Sequence, residues 1–388
     1  MNKHDSEPLF TEFPPIAKSE WLEKINKDLK GADFEEKLVW KTTEGFTLQP
    51  FYTQEDLREL STPERFQNQD LNTAQVPLGA RQWENRPEIV VEDLKKANQM
   101  ALEALNNGAD GIAFNLSAYA SPIDFSTLLA EIQTRYCGIS FLLKEGFKNF
   151  VQEYLGYITQ TGQEVTQLNG CIHTSTTPSP DDIKALMNSP ARDSSLRFIP
   201  INLPTLPDTV SERVATLLFK ATTILNTLID QGCQIEHIVP HISFSFPVSN
   251  NYFFEMAGLR ALRTLFYEMI KEYGVKDYPA HRVYLHVRSS IRTDYATEEE
   301  HYTNLLANTT QAMSAIIGGC NALTVTPHDA DLKVNNRFSC RIARNVSTVL
   351  REEAYFDKVA DPAAGSYYLE TLSYKIAEKA WSRFQEML

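Results

Sequence analysis

The feature that most constrains this chain is an alternation that starts near residue 88 and runs to its end. Short β-branched or apolar runs recur at 111–116, 138–143, 168–174, 197–203, 241–246, 282–288, 322–326 and near 358–360. Amphipathic stretches such as 89–106, 209–231, 252–273 and 297–317 separate them. Eight strand–helix units over about 270 residues is the size of a (β/α)8 TIM barrel, so an α/β fold with a closed parallel barrel is expected within residues 76–388. A doubly wound open sheet is the rival, because alternation alone does not demonstrate closure.

Composition narrows the setting. Of 388 residues, 43% are hydrophobic and 22% charged, enough apolar content for a large core and against wholesale disorder. No apolar run approaches the ~18 residues of a membrane span, the longest candidate being interrupted by Gly318, Gly319 and Asn321. The first thirteen residues lack the apolar stretch of a secretory signal, and five unclustered cysteines suit reduced thiols, so a cytoplasmic protein is expected. A net charge of −13 argues against nucleic acid and anionic membrane as partners, while leaving room for a local basic pocket.

Residues 1–75 read differently, as an arm. Ser19 is a candidate N-cap for a helix over 19–30, whose Trp21, Leu22, Ile25 and Leu29 share one face, with Gly31 just past its end. A run rich in aromatic and β-branched residues follows and turns at Glu44-Gly45, predicting a hairpin. So short a segment cannot hold its own core and must lie on another surface, with a second chain as its expected host.

Local chemical signatures are sparse. His237 and His241 are separated by Pro240 and do not share a helical face, whereas His286 and Arg288 lie two apart on one strand and point to the same side. No cluster has metal-ligand spacing, so no metal is expected. Gly318-Gly319 and the DPAAGS stretch at 361–366 lack the form of a phosphate loop, and no serine or cysteine carries a nucleophile signature.

Longer phrases are more telling. FPPIAKSEWLEKINKDLKGADFEEKLVWKTTEGFTLQPFYTQEDL (13–57), SFSFPVSNNYFFEMAGLRALRTLF (243–266), IIGGCNALTVTPHDA (316–330) and FSCRIARNVSTVLREEAYFDKVADPAAGSYYLE (338–370) resemble, in order, the methylmalonyl-CoA mutase family and specifically its small (beta) subunits. The resemblance implies a TIM barrel whose N-terminal arm wraps a partner subunit. It also implies coenzyme A threaded along the barrel axis, and adenosylcobalamin over the C-terminal mouth on a separate domain. That domain carries a DxHxxG signature in the family, and these 388 residues contain no D-x-H, so it is expected to be absent from the sequence. SRFQEML runs along an amphipathic helix without a stop signal, which suggests truncation of a longer chain.

The family's site phrases are altered. Its RQYAGF, which presents a radical-site tyrosine, is matched to Arg81-Gln82-Trp83-Glu84, placing Trp83 at the tyrosine; its GYHMQE histidine falls near Thr205. PPxPSMR becomes TTPSPDD, with Asp181 in place of a substrate-binding arginine, and QTSGWS becomes a stretch beginning at Arg288. Trp83, Asp181, Thr205 and Arg288 are therefore expected to mark a degenerate substrate site gathered at the C-terminal mouth, with no catalytic residue. Phe114, Phe198, Phe244 and Phe246 lie on strands, where they either fill an abandoned axis or face the helices. The expected function is that of a small, non-catalytic subunit of the adenosylcobalamin-dependent mutase interconverting methylmalonyl-CoA and succinyl-CoA in propionate metabolism, paired with a large catalytic subunit. Two alternatives stand beside it: a barrel active on a different acyl-CoA through Arg288, His286 and His241, and a purely structural or chaperone-like partner.

Overall fold

The structure is a computed structural model that describes residues 16–58, 60, 81–203, 207–275, 278, 282–294, 297, 299–332 and 335–388. A small antiparallel hairpin comes first, β1 (Trp40–Lys41) against β2 (Thr47–Leu48), turning at Gly45 with φ +81° as the Glu44-Gly45 dipeptide predicts. The barrel strands follow as β3 (Glu84–Asn85), β4 (Glu88–Val90), β5 (Gly111–Asn115), β6 (Gly138–Leu143), β7 (Asn169–Thr174), β8 (Ser195–Arg197), β9 (Ile199–Ile201), β10 (Ile242–Val248), β11 (Leu285–Ser289) and β12 (Ala322–Thr324).

Four of these are the halves of two broken strands, and the breaks complete the ring. β3 and β4 flank Arg86-Pro87, and β8 and β9 flank Phe198. Parallel pairing runs from β4 through β5, β6 and β7 to β8, and from β9 through β10, β11 and β12 to β3. Eight strands in sequence order thus pair neighbour to neighbour, with the first joined to the last through Ala322↔Glu84. Gly170 (φ +132°) marks one place where strands crowd, since a Cβ there would stand 1.9 Å from the Ile139 carbonyl oxygen.

The eighth strand is not where the sequence suggested. Residues 358–360 lie in the connection between the Arg337–Glu352 and Tyr367–Met387 helices, and the missing strand is the first, 84–90. Its alternate residues Glu84, Arg86 and Glu88 are charged and Pro87 interrupts it, so it lacks the apolar alternation that betrays a half-buried strand. The other strands send large apolar residues outward. Phe114, Phe141, Phe150 and Tyr154 pack ring against ring between strands and the Phe147–Gln160 helix, and Phe244 meets Phe266 edge to face with ring centroids 4.8 Å apart. The four phenylalanines singled out in the sequence join the layer between strands and helices, not the axis.

The hairpin is part of the barrel's cover. Phe46 stacks on Phe254 and Trp40 meets the same ring at 5.5 Å. The buried Glu44 carboxylate accepts from the backbone N–H groups of Val210 (2.6 Å) and Ser211 (3.2 Å), capping the Val210–Asp230 helix from outside its own sequence. Lys375 donates to the Thr47 carbonyl at 3.1 Å, and Lys379 donates to that of Glu44. The arm's helix, Lys18–Asp28, behaves otherwise: none of its residues is buried, and Trp21 is 55% exposed. The arm therefore divides into a root that docks on its own barrel and a helix that stands largely clear of it.

Candidate functional site

In a parallel barrel the side chains that alternate with the outward apolar set meet on the axis. Here that set is polar. The Arg86 guanidinium, wholly buried, donates to Ser140 Oγ at 2.7 Å, lies 3.6 Å from Cys171 Sγ and pairs with Glu84, so it reaches from the first strand across to the third and fourth. Gly138 makes room for this: a Cβ there would come within 2.6 Å of Arg86 and 2.8 Å of Glu84. Toward the strand starts, the Arg197 guanidinium lies 3.7 Å over the Tyr284 ring. Toward the strand ends, His286 Nδ1 and His173 Nε2 approach to 3.4 Å across the barrel, and His286 Nε2 is 2.8 Å from Thr324 Oγ1. Burial, reinforced by the Arg288 and Arg86 charges, pushes His173 down to about 3, and burial together with its neighbours holds His286 well below the usual imidazole range. Both rings are neutral near pH 7.

These contacts divide the axis. At the N-terminal face opens a cavity of ≈ 1170 Å³ lined by Arg81, Trp83, Asp110, Arg197, Tyr284 and Arg351 among others. At the C-terminal mouth lies a smaller one of ≈ 320 Å³ lined by Asn115, His173, Asn202, Ser245, His286 and Arg288 among others. Among the described residues none lines both, and Arg86 lies between them, with the two histidines forming the floor of the smaller one. At the mouth Arg288 pairs with Glu88, whose other oxygen accepts from Asn115 Nδ2 at 2.7 Å.

The expected cluster of altered residues does not assemble. Arg288 lies at the mouth. Trp83 is at the opposite face, buried, with its indole N–H donating to Ser347 at 2.7 Å and the Arg351 guanidinium 4.9 Å over its ring. Asp181 is exposed on the first turn of the Pro180–Met187 helix, accepting from the Gln231 side chain at 3.2 Å. Thr205 lies outside the described residues. The first strand, which the sequence reading misses, delivers Glu88 to the mouth beside Arg288. The charged run Glu84-x-Arg86-x-Glu88 was the signal for this, period two in charge rather than in hydrophobicity.

His286 and Arg288 share the inner side of β11, as their spacing predicts, but His241 does not join them. Its ring nitrogens lie 2.6 Å from the Leu196 carbonyl and 2.9 Å from that of Arg192, and it stacks on Phe198 near the strand starts. Among the described residues no group of three His, Cys, Asp or Glu side chains could hold a metal, and the histidines on the axis are buried and engaged with each other. A corrin-bound cobalt takes at most one imidazole from a protein, and the buried, mutually engaged His173 and His286 of this axis do not offer one. All five cysteines are unpaired, and among the described residues no helix is long and apolar enough to cross a membrane.

Known proteins place this architecture. A family model described as methylmalonyl-CoA mutase matches residues 208–387. The chain is 33% identical to the methylmalonyl-CoA mutase small subunit of Porphyromonas gingivalis (strain ATCC BAA-308 / W83) across 98% of this chain and 64% of that one. It is 25% identical to the small subunit of Streptomyces virginiae, across 99% of this chain and 65% of that one. The large subunit of the same P. gingivalis strain is 30% identical over 179 residues, 46% of this chain and 25% of that one. The chain spans less than two thirds of the length of the small-subunit relatives it matches. With a closed ring of eight parallel strands and a likeness to small subunits along nearly all of its length, the chain belongs to the methylmalonyl-CoA mutase family.

Proposed function

We propose that this chain is the small, non-catalytic subunit of an adenosylcobalamin-dependent methylmalonyl-CoA mutase, serving propionate metabolism in the cytoplasm beside a large catalytic subunit. The observation that carries the reading is the divided axis. Substrate of this family would have to bring a thioester to the mouth through the barrel, and Arg86, wholly buried and reaching from the first strand to the third and fourth, occupies that line. Rearrangement also requires donors aimed at a carbonyl and a cation free for a carboxylate. At the mouth the histidines are committed to each other and to Thr324, and Arg288 is matched by Glu88. What remains is an assembly role, with cobalamin and acyl-CoA held by the partner.

The occurrence of both a small-subunit and a large-subunit relative in one P. gingivalis strain supports pairing. The exposed Lys18–Asp28 helix, with Trp21 outermost, is the segment of the arm that offers apolar surface to such a partner. The test is to mix purified chain with a large mutase subunit in an analytical ultracentrifuge. A one-to-one complex is expected, lost when residues 1–38 are deleted; a full-length chain that stays monomeric beside the large subunit refutes the subunit reading.

A further inference from the structure

The mouth contains a guanidinium whose partner is supplied by the chain itself. Arg288 reaches from β11 to Glu88 on β4; one Glu88 oxygen pairs with the guanidinium, and the other accepts from Asn115 Nδ2 at 2.7 Å. The two side chains are 28% and 13% exposed, so the pair sits at the edge of the ≈ 320 Å³ mouth cavity, neither sealed in the core nor loose on the surface. Around it stand polar groups without formal charge, His173, His286, Asn202 and Ser245. A fork-shaped cation with an amide donor beside it, and no second cation among the described residues that line the cavity, is a receptor for one carboxylate group.

We propose that the mouth is a carboxylate-binding site whose occupant is Glu88, an internal ligand that excludes free short-chain carboxylates. A tethered carboxylate competes at an effective concentration of roughly millimolar or above, so a free acid gains access only when Glu88 is displaced. The ligand class is a small aliphatic monocarboxylate, because the space released by displacing Glu88 is that of one carboxylate on a short carbon chain. This stands apart from the subunit reading: a failure here leaves the pairing with a large subunit untouched, and a failure of that pairing leaves this site untouched.

The test is chemical rescue. Glu88→Ala removes Cγ and the carboxylate, which are the heavy atoms of acetate. The thermal midpoint of E88A should rise saturably with sodium acetate relative to sodium chloride at equal ionic strength, with an apparent affinity ~100-fold tighter than any response of the unmodified chain. E88Q, which keeps the volume without the charge, should not respond, and neither should E88A carrying Arg288→Ala. If E88A is recovered only by refolding, higher yield in acetate than in chloride supports the proposal. Equal responses in E88A and the unmodified chain, a response that survives loss of Arg288, or equal refolding in both salts overturns it.

Discussion

Lowering the pH from 7 to 5 should destabilise this barrel through two named side chains. His173 and His286 are buried on the axis and face each other, with Arg86 and Arg288 as the nearby cations and Glu88 as the nearby acid. In the unfolded chain a histidine titrates near 6.5, whereas His173 in the barrel is pushed down to about 3. The unfolded state therefore binds protons first. Stability is fully present above pH ~6.5 and is lost as the pH falls toward the folded value, at about 1.4 kcal/mol per pH unit for each histidine. At pH 5 the loss is about 2 kcal/mol for His173, and the direction for His286 is the same. Urea unfolding of the unmodified chain and of His173→Asn, measured at pH 7, 6 and 5, isolates this contribution, since carboxylate titrations are common to both proteins. The stability difference between them should shift by about 2 kcal/mol in favour of the variant between pH 7 and 5. A difference that stays constant with pH would refute the argument that the ring is neutral and buried.

Two further perturbations test how the barrel is held. Glu44→Ala leaves the Val210–Asp230 helix with its Thr209 cap but the Val210 and Ser211 amides without a partner, which should cost about 2 kcal/mol and lower the thermal midpoint measured by circular dichroism. Gly170→Ala drives a Cβ to within 1.9 Å of the Ile139 carbonyl oxygen at a φ of +132°, so the chain should lose its near-ultraviolet circular dichroism signal and its soluble yield, whereas Gly156→Ala, with nothing within 4 Å of its Cβ and no positive φ, should keep both.

Seven of the eight strands were readable because their outward residues, such as Ile112 and Phe114 or Phe244 and Phe246, sit in apolar alternation against the helices. The first strand escaped because its inward residues are Glu84, Arg86 and Glu88, and a polar axis erases the hydrophobic period on which recognition of a strand depends. With no strand legible at 84–90, nothing in the sequence shows that Trp83 faces the base of the barrel while Glu88 reaches the mouth. The hairpin at Glu44-Gly45 was legible from local turn chemistry. The role of Glu44 as the cap of a helix 166 positions away was not, because a cap supplied across the fold leaves no local pattern.

The central claim is that the axis of this barrel is closed to an acyl-CoA, and isothermal titration of the purified chain with methylmalonyl-CoA tests it most directly. The account predicts no binding that depends on the acyl group: methylmalonyl-CoA and free coenzyme A should give the same heats, and Arg288→Ala or His286→Ala should leave them unchanged. Saturable binding of methylmalonyl-CoA at one site per chain, tighter than coenzyme A and weakened by substitutions at the mouth, would contradict it.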